Sequence, residues 1–206
     1  MTLYASTSNP GKLREFLQAC EQIAGATLAI QPLPKLRDIA PPEETGNAFE
    51  ENAVLKALYY SKFCDGFVFA DDSGLEVCAL DGAPGVRSAR YAGENATDAE
   101  NNALLLRNLE GSSDRRARFV CVIALASRGR LLHTVHGVVQ GEILTAARGS
   151  NGFGYDPLFF YPPLERSFGE IDADEKFAVS HRGQALRCLF EWVSRSPEKP
   201  ALRSVG

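Results

Sequence analysis

Two adjacent carboxylates are the first feature of this sequence with chemical consequence. Asp71 and Asp72 follow the apolar run Phe67-Val68-Phe69-Ala70 and precede Ser73 and Gly74. Acidic side chains are depleted inside strands, so the pair is expected to close a strand and open a turn. Strand ends are where α/β proteins present chemistry to solvent. Neighbouring ionised carboxylates repel, and a bound cation would relieve that cost. The stretch therefore reads either as a polar turn between two strands or as a metal and catalytic centre. Glu44, in the acidic, proline-bounded loop Ile39 to Gly46, is a candidate third carboxylate for a hard cation, and otherwise a solvated charge ahead of a helix.

Three further groups could meet an anionic or flat ligand. The segment Ser6-Thr7-Ser8-Asn9-Pro10-Gly11-Lys12 lies between a short apolar run and a helical pattern. Helix N-terminal N–H groups, small hydroxyls and a lysine make an anion site, although the same order also describes an ordinary capped helix. The G-x-x-x-x-G-K-[ST] pattern is absent, which excludes a Walker loop. Lys56 and Asn52 are four apart in a second helical pattern and share its face. Glycines around Phe153, Gly154, Tyr155 and Asp156 would let a flat ligand approach the backbone, with Phe153 or Tyr155 stacking on a base; the alternative is a glycine-rich loop with core-facing aromatics. Lys176, His181 and Arg182 group donors near the start of a last helix, and otherwise form surface charge.

The elements that must position these residues follow from periodicity. Strands are expected over Thr2 to Ala5, Ala26 to Leu33, the run ending at Asp71, and Leu75 to Leu80. Arg116 to Ser127 is the clearest strand, continuous enough to be buried on both faces. Arg128-Gly129-Arg130 reads as a hairpin turn into Leu131 to Ile143, broken by Gly137 and Gly141. Helices are expected over Leu13 to Ile23, Ala48 to Cys64, from a Thr97 cap to Leu109, and over Gln184 to Val193; the proline-containing tail from Ser194 is expected to fray. A βα start followed by a β-meander indicates an α/β protein.

With 206 residues, 45% hydrophobic and 23% charged, the chain can bury a sizeable core as one domain or two small lobes. A net charge of −4 disfavours non-specific binding of nucleic-acid polymers. Cys20, Cys64, Cys78, Cys121 and Cys188 are odd in number and lack a CxxC pair, which fits buried free thiols in a reducing compartment rather than a disulfide framework or zinc site. His133 and His136, three apart in a strand, point to opposite faces and make a weak metal pair. No leader or 18-residue apolar run is evident, so the expected location is the cytoplasm, without a membrane.

Six segments carry a resemblance across almost the whole chain: TSNPGK, EETGNAFEENAVLKA, ADDSGLEV, GAPGVRSARYAGE, GFGYDPLFF and EKFAVSHRGQAL, in that order. Together they resemble the inosine triphosphate pyrophosphatase family, enzymes that cleanse the pool of non-canonical purine nucleoside triphosphates. The resemblance implies an α/β fold over residues 1–206: an elongated mixed β-sheet with flanking helices, two lobes around a central nucleotide cleft, and a homodimer. It implies Mg2+-dependent hydrolysis of ITP, dITP or XTP to a nucleoside monophosphate and pyrophosphate. Thr7, Ser8, Asn9, Pro10, Gly11 and Lys12 would then cradle the triphosphate, with Lys56 a second phosphate cation and Ser73 a phosphate contact. Glu44 and Asp72 match the magnesium carboxylates; Asp72 also matches the proton acceptor, with Asp71 second choice for either role. Phe153, Gly154, Tyr155, Asp156, Lys176, His181 and Arg182 resemble the base pocket, whose donors suit a 6-oxo purine and leave adenine's amino group unpaired. Two rival readings are a pyrimidine or modified-nucleotide pyrophosphatase of similar architecture, which the SHR block opposes, and a non-catalytic nucleotide sensor, which the intact carboxylates oppose.

Overall fold

The computed structural model describes residues 1–23 and 28–195. Among these residues, seven strands form one sheet in the order β2-β1-β3-β4-β5-β6-β7. The strands are β1 (Thr2–Ala5), β2 (Ala29–Pro32), β3 (Phe67–Val77), β4 (Arg116–Ser127), β5 (Arg130–Ile143), β6 (Phe159–Tyr161) and β7 (Arg166–Ser167). The helices are α1 (Pro10–Ile23), α2 (Phe49–Tyr60), α3 (Asp98–Asn108), α4 (Ala173–Val179) and α5 (His181–Arg195). β1 pairs parallel with β2 and β3, and every later pairing is antiparallel. The mixed α/β sheet expected from the sequence is present. None of the described helices is long and apolar enough to cross a membrane.

Strand alternation sorts the core onto two faces of this sheet. Phe69, Cys121, Ile123 and Leu125 pack with Phe16 of α1 and Leu186, Leu189 and Phe190 of α5. Ala70, Val120, Val122, Ala124 and Ala126 meet Phe49, Ala53 and Ala57 of α2 on the opposite face. The small residues on that side let the α2 backbone lie close. Further along β3 to β5, Leu75, Val77, Phe119 and Val139 pack with Leu105 of α3, with Leu109 just after it, and with Tyr155, Phe159 and Phe168.

The pairing register creates the opening in which chemistry can occur. β1 stops at Ala5, whose partner is Phe69, while β3 continues to Val77. Asp71, Asp72 and Ser73 therefore remain paired to β4 on one side but have passed the end of β1 on the other. The notch lies at the carboxyl end of parallel β1, the position where open α/β sheets bind ligands.

Several sequence expectations are corrected by these elements. The aspartates do not end a strand; they lie in the middle of β3, and Leu75 to Val77 belong to that same strand. β5 is unbroken through Gly137 and Gly141. A Cβ at Gly137 would come within 1.9 Å of the His181 carbonyl oxygen, so this glycine admits the start of α5 rather than interrupting the strand. α1 begins at Pro10 and already contains Gly11 and Lys12, α2 gives way after Tyr60 to a 3₁₀ turn over Ser61–Phe63, and α5 begins at His181. α4, which carries Lys176, is an addition to the expected helices. The second strand is described over Ala29–Pro32; its expected start, Ala26 and Thr27, lies outside the described residues. Residues 196–206 of the expected tail also lie outside them, whereas Ser194 and Arg195 close α5.

Candidate active site

Adjacent residues of a strand point to opposite faces, and the two aspartates consequently meet different helices. Asp71 Oδ2 lies 2.8 Å from Lys12 Nζ of α1 and 3.8 Å from Arg182 Nε of α5. Asp72 accepts from α2: Lys56 Nζ at 2.8 Å on Oδ1 and Asn52 Nδ2 at 3.3 Å on Oδ2. The shared face of Asn52 and Lys56 read from their spacing is the face that holds Asp72. Asn52 also accepts from Gly46 N at 2.8 Å and donates to Gly46 O at 3.3 Å, fixing the loop that carries Glu44. Glu44 Oε1 reaches the same Lys56 Nζ at 3.0 Å. One ammonium thus joins the two carboxylates expected to hold a metal.

Environment separates the aspartates further. Burial opposes ionisation of Asp71, but Lys12, Arg182 and Lys56 outweigh it and lower its pKa. Asp72 is raised, because burial outweighs its attraction to Lys56 and Glu44 adds repulsion. Burial also opposes charge on Lys56, yet Asp72, Asp71 and Glu44 hold it in the ammonium form. Arg90 faces Glu44 at 3.9 Å and Glu94 at 3.6 Å, while Arg87 is exposed.

At the start of α1, Asn9 Oδ1 accepts from Gly11 N at 2.8 Å and Lys12 N at 3.0 Å. The backbone donors expected to cradle phosphate are therefore occupied by the cap in this structure. The hydroxyls of Thr7 and Ser8, and Lys12, remain along the cleft wall.

The expected base-pocket residues converge, with one organising side chain missing from the sequence reading. Glu15 of α1 accepts from Lys176 Nζ at 2.6 Å on Oε1 and from Arg182 Nη1 on Oε2. Arg182 and Lys176 lower its pKa against the opposing effect of burial. Glu15 falls three residues after Lys12 on the same helix, and that spacing is the signal that could have identified it. Lys176 also donates to Asp156 Oδ2 at 2.5 Å, and Arg182 Nη2 donates to Ser73 Oγ at 2.7 Å. Ser73 in turn donates to Asp71 Oδ2 at 3.2 Å, so the aspartate centre and the donor cluster are one connected network. The Phe153 ring lies under both cations, 4.9 Å from Lys176 Nζ and 5.6 Å from the Arg182 guanidinium carbon. A Cβ at Gly11 would sit 2.7 Å from that ring. His181 stacks on Phe119 at 4.7 Å and 14°, and burial followed by repulsion from Arg182 and Lys176 pushes its pKa well down. His181 Nδ1 and Arg182 Nε are buried without a hydrogen-bond partner.

A cleft of about 1090 Å³ is lined by Lys12, Glu44, Lys56, Asp71, Asp72 and Ser73, and also by Phe153, Tyr155, Asp156, His181 and Arg182. Lys176 and Gly11 line a smaller cavity of about 370 Å³ that shares Phe153 with the cleft. Tyr155 is largely core: it is buried and donates to Ser88 O at 2.8 Å. Of the two aromatics, Phe153 is the one that covers the donors.

Fold and site define an open α/β protein with an ion-paired cleft at the end of a parallel strand. The chain belongs to the Ham1 family, whose model matches residues 3–192. It is 49% identical over 200 residues to a dITP/XTP pyrophosphatase of Acidobacterium capsulatum, covering 92% of this chain and 97% of that protein. A HAM1 protein structure from Coxiella burnetii superposes with a TM-score of 0.84 at 42% identity, over 95% of this chain and all of that one. A Mycobacterium abscessus structure described as a nucleoside-triphosphatase / dITP/XTP pyrophosphatase gives a TM-score of 0.69 at 39% identity, over 92% of this chain and 97% of that one. The resemblance carried by the six sequence segments therefore holds.

Proposed function

We propose that this chain is a nucleoside triphosphate pyrophosphatase that hydrolyses ITP, dITP and XTP to the monophosphate and pyrophosphate. One observation carries the reading: the same cleft is lined by lysine–aspartate pairs suited to phosphates and by an aromatic with buried donors suited to a purine. Lys176 has three ammonium protons and directs two of them at Asp156 and Glu15; Arg182 Nε makes no hydrogen bond and lies 3.8 Å from Asp71 Oδ2. These remaining donors match a 6-oxo group and mismatch adenine's amino group. The names of the relatives point to dITP and XTP among these substrates.

Charge balance supports a divalent cation. Lys12, Lys56, Arg90, Lys176 and Arg182 are already faced by Glu15, Glu44, Asp71, Asp72 and Asp156. A triphosphate brings further negative charge into this balanced cleft. Glu44 and Asp72 converge on one Lys56 ammonium, and a pair of carboxylates with room for water suits Mg2+. When bound there, Mg2+ would neutralise phosphate charge and acidify coordinated water. Lys56, exchanged from Glu44 and Asp72, is placed to meet the phosphates with Lys12. Asp72, oriented by Asn52, accepts the proton of a water whose oxygen attacks the α-phosphorus. The α–β phosphoanhydride P–O bond breaks and its electrons leave with pyrophosphate. In the ligand-free cleft burial raises the pKa of Asp72, whereas Lys12 and Arg182 hold the charge of Asp71.

A homodimer, a cytoplasmic setting and one functional unit over residues 1–206 complete the reading. They rest on the family resemblance and, for the setting, on five cysteines that are all unpaired. A substrate panel of ITP, dITP, XTP, GTP and ATP with Mg2+ tests the function. Pyrophosphate release from the 6-oxo non-canonical nucleotides should exceed that from ATP by a factor of about 10⁴, and a chelator should abolish it. Equal turnover of ATP, or orthophosphate as the first product, would sink it.

A further inference from the structure

We infer that Asp98 and Asn102 of α3 are positioning residues for purine recognition, an inference that rests on the function proposed above. They lie four apart on one helical face and hold both polar backbone atoms of Gly154. Gly154 N donates to Asp98 Oδ2 at 2.7 Å, and Asn102 Nδ2 donates to Gly154 O at 3.0 Å. Gly154 has φ +61 and nothing within 4 Å of a built Cβ, so a glycine is needed there for its conformation and not for space. The preceding residue is Phe153, whose ring covers Lys176 and Arg182. Clamping the next residue at both its N–H and its C=O fixes where that ring stands.

The clamp is itself anchored. A Thr97–Glu100 capping box starts α3, and Leu105 is fully buried. Asn101 accepts from Ala92 N at 2.8 Å and donates to Ala89 O at 3.2 Å, tying the helix to the 3₁₀ segment Gly85–Arg90. On the loop side, Phe153 N donates to Asp156 Oδ2 at 2.8 Å. Among the described residues, neither Asp98 nor Asn102 shares a hydrogen bond or ion pair with Lys12, Lys56, Asp71 or Asp72. The pair acts on the aromatic end of the cleft and leaves the phosphate end to other groups. Neither residue needs to touch the purine to decide how well it stacks.

Steady-state kinetics of Asp98→Ala, Asp98→Asn and Asn102→Ala with ITP and GTP test this, together with inhibition by tripolyphosphate, which has no base. Asp98→Ala should raise KM for ITP about tenfold, the scale of one lost hydrogen bond to a charged group, and Asn102→Ala about fivefold, the scale of a neutral one, each with a smaller fall in kcat. The ratio of ITP to GTP efficiency should narrow, while the tripolyphosphate inhibition constant stays near wild type. Asp98→Asn keeps an acceptor oxygen and should recover much of the loss. Unchanged KM and base ratio would overturn the inference, as would equal weakening of ITP and tripolyphosphate. Should Asp98→Ala fail to fold, Asn102→Ala, which removes only an amide, carries the same test. A wild type inert toward ITP would instead defeat the underlying function, and that is seen before any variant is compared.

Discussion

Glu15 accepts from two cations at once, and its position explains how Lys176 and Arg182 can be buried together. Removing one partner from such a buried cluster leaves uncompensated charge, which is the costly event. The contrast between the two aspartates is equally local. Asp71 is tied to Lys12 and Arg182 on one face of β3, and Asp72 to Lys56 and Asn52 on the other. Asp72→Asn should therefore retain ITP binding measured without Mg2+ while turnover with Mg2+ falls by a factor of about 10²–10⁴; isothermal titration beside a rate assay separates the two. Wild-type turnover in that variant would remove Asp72 from the chemistry. His181 supplies a pH prediction. Its folded pKa lies well below the ordinary 6.5, so above that pH neither folded nor unfolded His181 is charged and it makes no difference. As pH falls below 6.5, the unfolded chain takes up the proton first and stability drops, by at most about 1.4 kcal/mol per pH unit from this group. Urea unfolding of wild type and His181→Asn at several pH values should show a shallower loss for the variant; identical slopes would contradict it.

At the scale of elements, the site depends on where strands and helices begin and end. β1 stops at Ala5 while β3 runs on, and that mismatch opens the notch at Asp71 to Ser73. Gly137 lets the start of α5 settle on β5, and a Cβ at Gly183 would come within 1.9 Å of the Phe177 carbonyl oxygen, so α4 and α5 meet as closely. Those two contacts place Lys176 beside Arg182. The long elements are legible in sequence because their signals are local: the apolar run of β4 and the Thr97 cap match their expected places, and the expected Arg128-Gly129-Arg130 turn is present over Arg128 and Gly129, both with positive φ, with Arg130 already paired in β5. The strand ending expected at Asp71 fails for an equally physical reason. The penalty for acids inside a strand is real, but here it is offset by Lys12, Lys56 and Arg182 arriving from three different helices. Such compensation is non-local and leaves no trace in a window of neighbouring residues. The seven-residue α4 escapes a periodicity reading because it is only about two turns long.

At the scale of the whole molecule, one continuous sheet lets residues far apart in sequence share a cleft. Lys12, Glu44, Lys56, Asp72 and Arg182 come from α1, a loop, α2, β3 and α5, and none could be assigned a role from its own surroundings. Their residue types are legible once six segments are read in order; their pairings are not. Glu15 in particular lies just beyond the first of those segments and carries no motif of its own. Together these groups are proposed to direct water at the α-phosphorus of a 6-oxo purine triphosphate. Hydrolysis of ITP with Mg2+ in ¹⁸O-labelled water, with mass analysis of both products, tests it most directly. Label should appear in the monophosphate and none in pyrophosphate; label in pyrophosphate, or labelled orthophosphate with a diphosphate product, would rule out attack at the α-phosphorus.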